Sequence, residues 1–278
     1  MPKELTRLQK IERSIIKTYR KGLWSPFVLA IKKYQLIQPN DKIAVCISGG
    51  KDSMILAKLM QELHRHSEVP FDLVFLAMDP GYNAENRKKT EENAEILGIP
   101  LEIFNSEIFE TADALAGESP CYLCARMRRG HLYAKAKELG CNKIALGHHK
   151  SDVIETTLMG MLYGGQIQGM LPRIKSTNFE GMELIRPLYC VLEEDIIRWK
   201  EYNELDFIAC ACRFTERKDE FFSARARVKE LIATLKTEAE LKNLEDNIFQ
   251  SIHNVQLDTI AAYKTGGKKT TFLEKFEK

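Results

Sequence analysis

The six residues Ser48-Gly49-Gly50-Lys51-Asp52-Ser53 constrain this chain more than any other stretch. They follow a short apolar run, KIAVCI at 42–47, and precede a segment whose apolar members are Met54, Ile55, Leu59, Met60 and Leu63. The run reads as a buried strand and the segment as an amphipathic helix. A Gly-Gly pair at that junction lets the backbone approach a polyanion and adopt positive φ. The amides of the helix start then face the phosphates, aided by the helix dipole. Ser48 and Ser53 add hydroxyls, Lys51 a positive charge, and Asp52 a carboxylate suited to orienting Mg2+. The spacing is not that of a Walker A loop, which has four residues between its first Gly and its Gly-Lys. A bare Gly-Gly is an ordinary capped turn; the whole hexapeptide between a strand and a helix points to a nucleotide.

Strand and helix signals go on alternating. Strands are expected at 72–78, 101–104, 142–147 and 184–188, and helices at 84–97, 126–139, 152–163 and 193–204. Gly98 and Gly140 supply helix stops. This pattern predicts an α/β fold, a doubly wound parallel sheet with helices on both faces. Residues 5–20 have a helical period with one polar member, Glu12, on the apolar side; Gly22 and Pro26 punctuate it, and a second helix is expected at 27–36. Residues 105–124 and 164–182 read as loops. After residue 212 the chain is charged and helical, with GGKKTT at 266–271 as a frayed tail. The expected organisation is a basic helical extension at 1–40, the nucleotide domain with its cysteines at 41–215, and a helical extension at 216–278.

The net charge is only +2, so the whole surface is not a nucleic-acid magnet. Residues 1–34, however, hold nine Lys and Arg against two acids. That segment is either a solvated helix face or a phosphate-contacting arm. No apolar run reaches the length of a membrane span, and charges interrupt every stretch near the N-terminus, so a cytoplasmic protein is expected. Seven cysteines without a secretory signal argue against a disulfide scaffold. Cys46, Cys141 and Cys190 read as buried apolar residues. Cys121/Cys124 and Cys210/Cys212 read as metal ligands or redox thiols. Asp152 follows the strand NKIALG at a helix start, as an N-cap or as a group that takes a proton or orients a substrate amine. His148 and His149 lie where such sheets bind ligands, as functional or as structural histidines.

SGGKDS resembles the PP-loop of the N-type ATP pyrophosphatases. That resemblance implies cleavage of ATP between its α and β phosphates, with the loop holding pyrophosphate. It also implies adenylation of a carbonyl-type oxygen, which turns a poor leaving group into AMP. The adenine is expected near Ala77 and Met78, with Gly147 among the ATP contacts. SPCYLCARMRRG, NKIALGHHKSD, LYGGQIQGMLPR and LIRPL further resemble segments of the tRNA-cytidine(32) 2-sulfurtransferase family, TtcA. This likeness covers residues 40–215 and is weak in the flanks. It implies a tRNA substrate, ATP with Mg2+, and a 4Fe-4S cluster held by three cysteines, one iron being left without a protein ligand. It gives Cys121 and Cys124 as ligands, with Cys212 as the third and Cys210 as its alternative. It supports a catalytic role for Asp152, beside that of the Lys51 charge. Arg126, Arg128 and Arg129 follow the first cysteine pair directly and read either as an ordinary exposed helix start or as groups that track an RNA backbone. A sulfur donor, either a cysteine desulfurase or sulfide, is implied, and a homodimer is the family's common state. Two departures stand out: Ala209-Cys210-Ala211-Cys212 is one residue shorter than the family's PC-x-x-C, and Ser151 replaces the first acid of GHH-x-DD. The competing readings are a zinc site built from the four thiols, a PP-loop enzyme for a small molecule, and a zinc-stabilised nucleotide-binding module.

Overall fold

The computed structural model describes residues 4–79, 84–106, 120–208, 220–238, 241 and 243–276. Its centre is a six-stranded sheet formed by β1 (Asp41–Ile47), β2 (Phe71–Asp79), β3 (Leu101–Asn105), β4 (Lys143–Ala145), β5 (Arg173–Lys175) and β6 (Glu183–Ile185), in the order β3-β2-β1-β4-β6-β5. All neighbours are parallel except β5, which runs antiparallel to β6 at the edge. The expected α/β fold is therefore present, with a mixed rather than purely parallel sheet. The pairing Ile174↔Leu184 places β5 inside the stretch read as a loop, a strand too short and too polar to announce itself.

β1 shows why the sheet needs cover on both sides. Ile43, Val45 and Ile47 enter one apolar cluster while Ala44 and Cys46 enter the other. Successive side chains alternate across a strand, so β1 is buried twice. The larger cluster takes side chains from α1 (Arg7–Arg13), α2 (Ser25–Lys33), α3 (Lys51–His66), α4 (Ala84–Ile96), then α5 (Pro120–Glu138) being absent from it, from α6 (Lys150–Leu162), α7 (Glu193–Tyr202), α8 (Glu220–Glu238) and α9 (Leu244–Ser251). Helix α5 packs on the opposite face through Tyr133 and Ala136. Both terminal segments thus contribute to the same core as the sheet: Ile11 and Ile15 from one, Val228, Ile232 and Phe249 from the other. Among the described residues no helix is long and apolar enough to cross a membrane.

Three local readings are corrected. Gly22 does not break the N-terminal helix; the chain passes through two π-helical turns, Ser14–Thr18 and Arg20–Trp24, and runs on into α2. Gly22 is instead a close approach, because a Cβ there would lie 2.4 Å from Asp195 Oδ1. The 126–139 helix starts earlier, at Pro120, so Cys121 and Cys124 stand in its first two turns and not in a loop. GGKKTT is no frayed tail: β7 (Ala262–Thr265) and β8 (Lys268–Thr271) form a hairpin, with Gly266 and Gly267 both at positive φ (56° and 79°) in its two-residue turn. The polar member of the first helix is also explained. Glu12 lies 2.9 Å from the ammonium of buried Lys58 and 2.8 Å from Arg65.

Candidate active site at the carboxyl edge of the sheet

The strand order reverses between β1 and β4, so the loops leaving their carboxyl ends diverge and open a crevice. The loop after β1 is Ser48–Gly50. Gly49 has φ +84°, and a Cβ there would lie 2.3 Å from Ile208 Cδ1 and 2.7 Å from Thr90 Oγ1. Gly50 caps α3 without a side-chain bond, which leaves the first amides of the helix available to an anion. Ser53 braces the turn: its hydroxyl donates to Gly50 O (2.9 Å) and its oxygen accepts the Ser48 N–H (3.1 Å). The loop after β4 carries Gly147, where a Cβ would sit 3.0 Å from the Asp52 carbonyl carbon. The start of α3 can lie this close only because that side chain is missing.

Around this junction eight side chains form a closed ring. Lys51 Nζ is 3.2 Å from Asp52 Oδ2 and 2.8 Å from Glu193 Oε1. Glu193 Oε2 reaches Lys229 (2.8 Å), Lys229 reaches Glu155 Oε1 (3.6 Å), and Glu155 Oε2 reaches Arg225 (3.0 Å). Arg225 holds Asp152 Oδ1 at 2.8 Å, and His149, between Asp152 (3.4 Å) and Asp52 (3.7 Å), completes the circuit. Acids alternate with basic side chains throughout. Burial works against the charge of Lys51, yet Asp52 and Glu193 more than reverse this and raise its pKa. Burial opposes the charge of Glu193 too, but hydrogen bonds from Lys229 and Lys51 bring its carboxyl down to about 2.

Asp152 is not the N-cap of α6. His149 is, and the two form a reciprocal box: Asp152 N–H donates to His149 Nδ1 at 3.3 Å and His149 N–H donates to Asp152 Oδ2 at 3.0 Å. Burial alone would raise the Asp152 pKa; His149, its amide, His148 and Arg225 together lower it. Ser151, which replaces an expected acid, accepts the Glu193 N–H at 3.2 Å and so ties α6 to α7.

Met78 is buried near the carboxyl end of β2. Cys46 and Cys141 are buried, and burial followed by the neighbouring Cys141 pushes the Cys46 thiol up to about 12, the behaviour of an inert apolar residue. Helix α5 has 19 residues and spans about 28 Å. It ends at the amino edge, where Asn142 N–H donates to Lys42 O, so its first two turns with Cys121 and Cys124 stand at the carboxyl edge. Positions three apart are neighbours on a helix surface. Arg129 is exposed on the same helix; Arg126 and Arg128 share its first half. Cys210 and Cys212 lie outside the described residues. Among the described residues no group of three or more His, Cys, Asp or Glu side chains is arranged around a metal position. Arg13, Lys17, Arg20, Lys21, Lys32 and Lys33 of the basic segment are exposed. Glu193, Arg225 and Lys229 were not expected from sequence. Only the i, i+4 spacing of Arg225 and Lys229 hinted at a shared partner.

The PP-loop domain model matches residues 23–234. The chain is 40% identical over 186 residues to a tRNA-cytidine(32) 2-sulfurtransferase of Neisseria meningitidis, covering 65% of this chain and 57% of that protein. It is 34% identical over 241 residues to one of Aliivibrio fischeri, covering 85% and 75%. The chain thus spans little more than half the length of the first of these relatives. Among solved structures, the U34-tRNA thiolase NcsA of Methanococcus maripaludis, with its 4Fe-4S cluster, has the same fold: TM-score 0.66 over 91% of this chain and 82% of that one, at 21% identity. The chain belongs to the PP-loop proteins and, among them, to the tRNA-cytidine(32) 2-sulfurtransferase family.

Proposed function

We propose that this protein is an ATP-dependent sulfurtransferase that replaces the C2 oxygen of a tRNA cytidine, the one at position 32, with sulfur. The observation that carries this is the meeting of three parts on one sheet edge: the glycine loop, the His149–Asp152 box and the first two turns of the cysteine helix. ATP lies with its phosphates on the amides and side chains of Ser48–Ser53, Lys51 stabilising the departing charge, and with its adenine toward Met78 and Gly147. The C2 oxygen attacks the α-phosphorus, the α–β bond breaks and pyrophosphate leaves. A sulfur nucleophile then adds to C2, the C2–O bond breaks, and AMP departs. Asp152, ionised and held on both oxygens, acts as an orienting charge for the base rather than as a proton acceptor.

Mg2+ suits Asp52, whose Oδ1 is buried without a hydrogen-bond partner among the described residues. A 4Fe-4S cluster suits the thiolate chemistry and i, i+3 spacing of Cys121 and Cys124, with Cys212, or else Cys210, as third ligand; it would supply an open iron position for sulfur. The donor is a cysteine desulfurase or sulfide. Arg126, Arg128, Arg129 and the exposed basic segment contact RNA phosphates. Residues 1–40, 41–215 and 216–278 act as arm, catalytic unit and cover, in the cytoplasm and as a homodimer. The test is anaerobic reconstitution with iron and sulfide, then incubation with ATP and tRNA. The expected product is a 2-thiocytidine in the nuclease digest together with AMP; a digest without thiolated nucleoside refutes the reading.

A further inference from the structure

Buried polar atoms without partners are scarce in folded proteins, and each calls for an explanation. Three of the four found among the described residues are Asp52 Oδ1, His148 Nδ1 and Arg186 Nε. All three belong to the carboxyl edge. Asp52 faces the nucleotide loop. The other two stand at neighbouring strand ends, since Ala145 pairs with Ile185 and Leu146 N–H donates to Ile185 O at 3.0 Å.

Arg186 is 5% exposed. Among the described residues no carboxylate lies within ion-pair distance of it, and its one hydrogen bond runs from Nη1 to the Leu171 carbonyl. A buried guanidinium without a counter-charge is costly to keep. Burial, and then the charge of Arg129 on α5, bring its pKa down to about 10. Tyr133 of α5 acts on it as well, which sets Arg186 on the face of the sheet that the cysteine helix covers. His148 is brought down to about 4, first by burial and then by Arg186, so its ring is neutral. A neutral ring protonated on Nε2 offers Nδ1 as an acceptor.

With the His148 ring protonated on Nε2, a donor at Arg186 and an acceptor at Nδ1, set between the orienting carboxylate and the middle of α5, match a ring with acceptors and an amino group. A phosphate does not match, because it has only acceptors to offer a neutral imidazole. Resting on the function proposed above, we infer that Arg186 and His148 form the seat of the target pyrimidine. Arg186 donates to O2, an acceptor that cytosine and uracil share, and His148 Nδ1 receives a hydrogen of the cytosine amino group. The neutral histidine is then the residue that tells cytosine from uracil, whose O4 would meet the Nδ1 lone pair.

The test is equilibrium binding, by the full chain prepared anaerobically, of an RNA stem-loop with cytidine, uridine or an abasic nucleotide at the target position. Wild type is expected to bind the cytidine loop about ten-fold more tightly than the abasic one. In Arg186→Met this advantage disappears while the affinity for the abasic loop stays the same; Arg186→Lys, which keeps the charge and lacks Nε, gives the same result. In His148→Leu the preference for cytidine over uridine disappears, and His148→Asn restores part of it. Unchanged ATP affinity and an unchanged melting temperature show that the variants are folded. Equal weakening of cytidine and abasic loops by Arg186→Met overturns the inference in favour of a phosphate contact. Retention of the full cytidine advantage in all four variants overturns it outright. Base-dependent binding without any thiolated product separates failure of the sulfurtransferase reading from failure of this one.

Discussion

The two ends of the parallel strands use the same residue types in opposite ways. At the amino edge, Lys143 is 2% exposed, and its ammonium lies 2.6 Å from Asp41 Oδ2, 3.5 Å from Glu183 Oε2 and 3.0 Å from the Leu36 carbonyl. The other oxygen of Asp41 accepts from Asn142 at 2.7 Å, and Arg173 grips both oxygens of Glu183 at 2.8 and 2.9 Å. None of the unpartnered buried atoms belongs to this group. At the carboxyl edge, beside a larger ring of charges, Asp52 Oδ1, His148 Nδ1 and Arg186 Nε have no hydrogen-bond partner among the described residues. A buried charge whose partners are complete fixes register and holds strands together. A buried charge with capacity left over is preorganised for something the protein has yet to bind.

The largest expected effect comes from breaking the satisfied end. Lys143→Met leaves the buried carboxylate of Asp41 without its counter-charge and should cost about 3–5 kcal/mol in urea denaturation. Turnover per folded molecule should hardly change, since the nucleotide loop lies at the far end of β1. A variant with normal stability, or one whose folded fraction is inactive, would erase the distinction between the edges.

Lys51→Met probes the other end. Its pairs with Asp52 and Glu193 are partly exposed, so stability should shift by less than about 1 kcal/mol. Thiolated product should form about 100 to 1000 times more slowly, the usual loss when charge stabilisation at a departing group is removed. If Lys51→Met loses as much stability as Lys143→Met, the carboxyl ring is a structural device like its counterpart.

The elements with local signals were the legible ones. Strands at 42–47 and 72–78 and the SGGKDS junction declare themselves because apolar patterning and glycine placement are local signals. Gly22 misled, because its neighbour Asp195 is far away in sequence and only packing shows that a Cβ has no room. The hairpin at 262–271 carried its own signal, a Gly-Gly between β-capable residues, which the surrounding lysines obscured. At the site, Lys51 and Asp152 could be singled out from their motifs. Glu193, Arg225 and Lys229 could not, since each is one charged residue among many on an exposed-looking helix. Their partners are set by how α7 and α8 pack across the sheet edge, and Arg186 becomes unusual only because, among the described residues, no carboxylate lies within ion-pair distance of it.

The smallest expected effect sharpens the comparison most, because it asks whether the ring responds to pH. The Glu193 carboxyl sits at about 2 in the fold against an ordinary value of 4.5. A carboxyl lower in the fold than in the unfolded chain stabilises fully above the unfolded value, and that contribution fades as pH falls through the folded one. Wild type should therefore lose this part of its stability between about pH 4.5 and 2, whereas Glu193→Gln, which cannot ionise, should have a flatter melting-temperature profile over the same window. At neutral pH the variant should melt slightly lower, because Lys51 and Lys229 lose a charged partner. Parallel profiles for the two proteins would mean that the ring contributes no acid-sensitive stability and that the low carboxyl pKa read from its geometry is wrong.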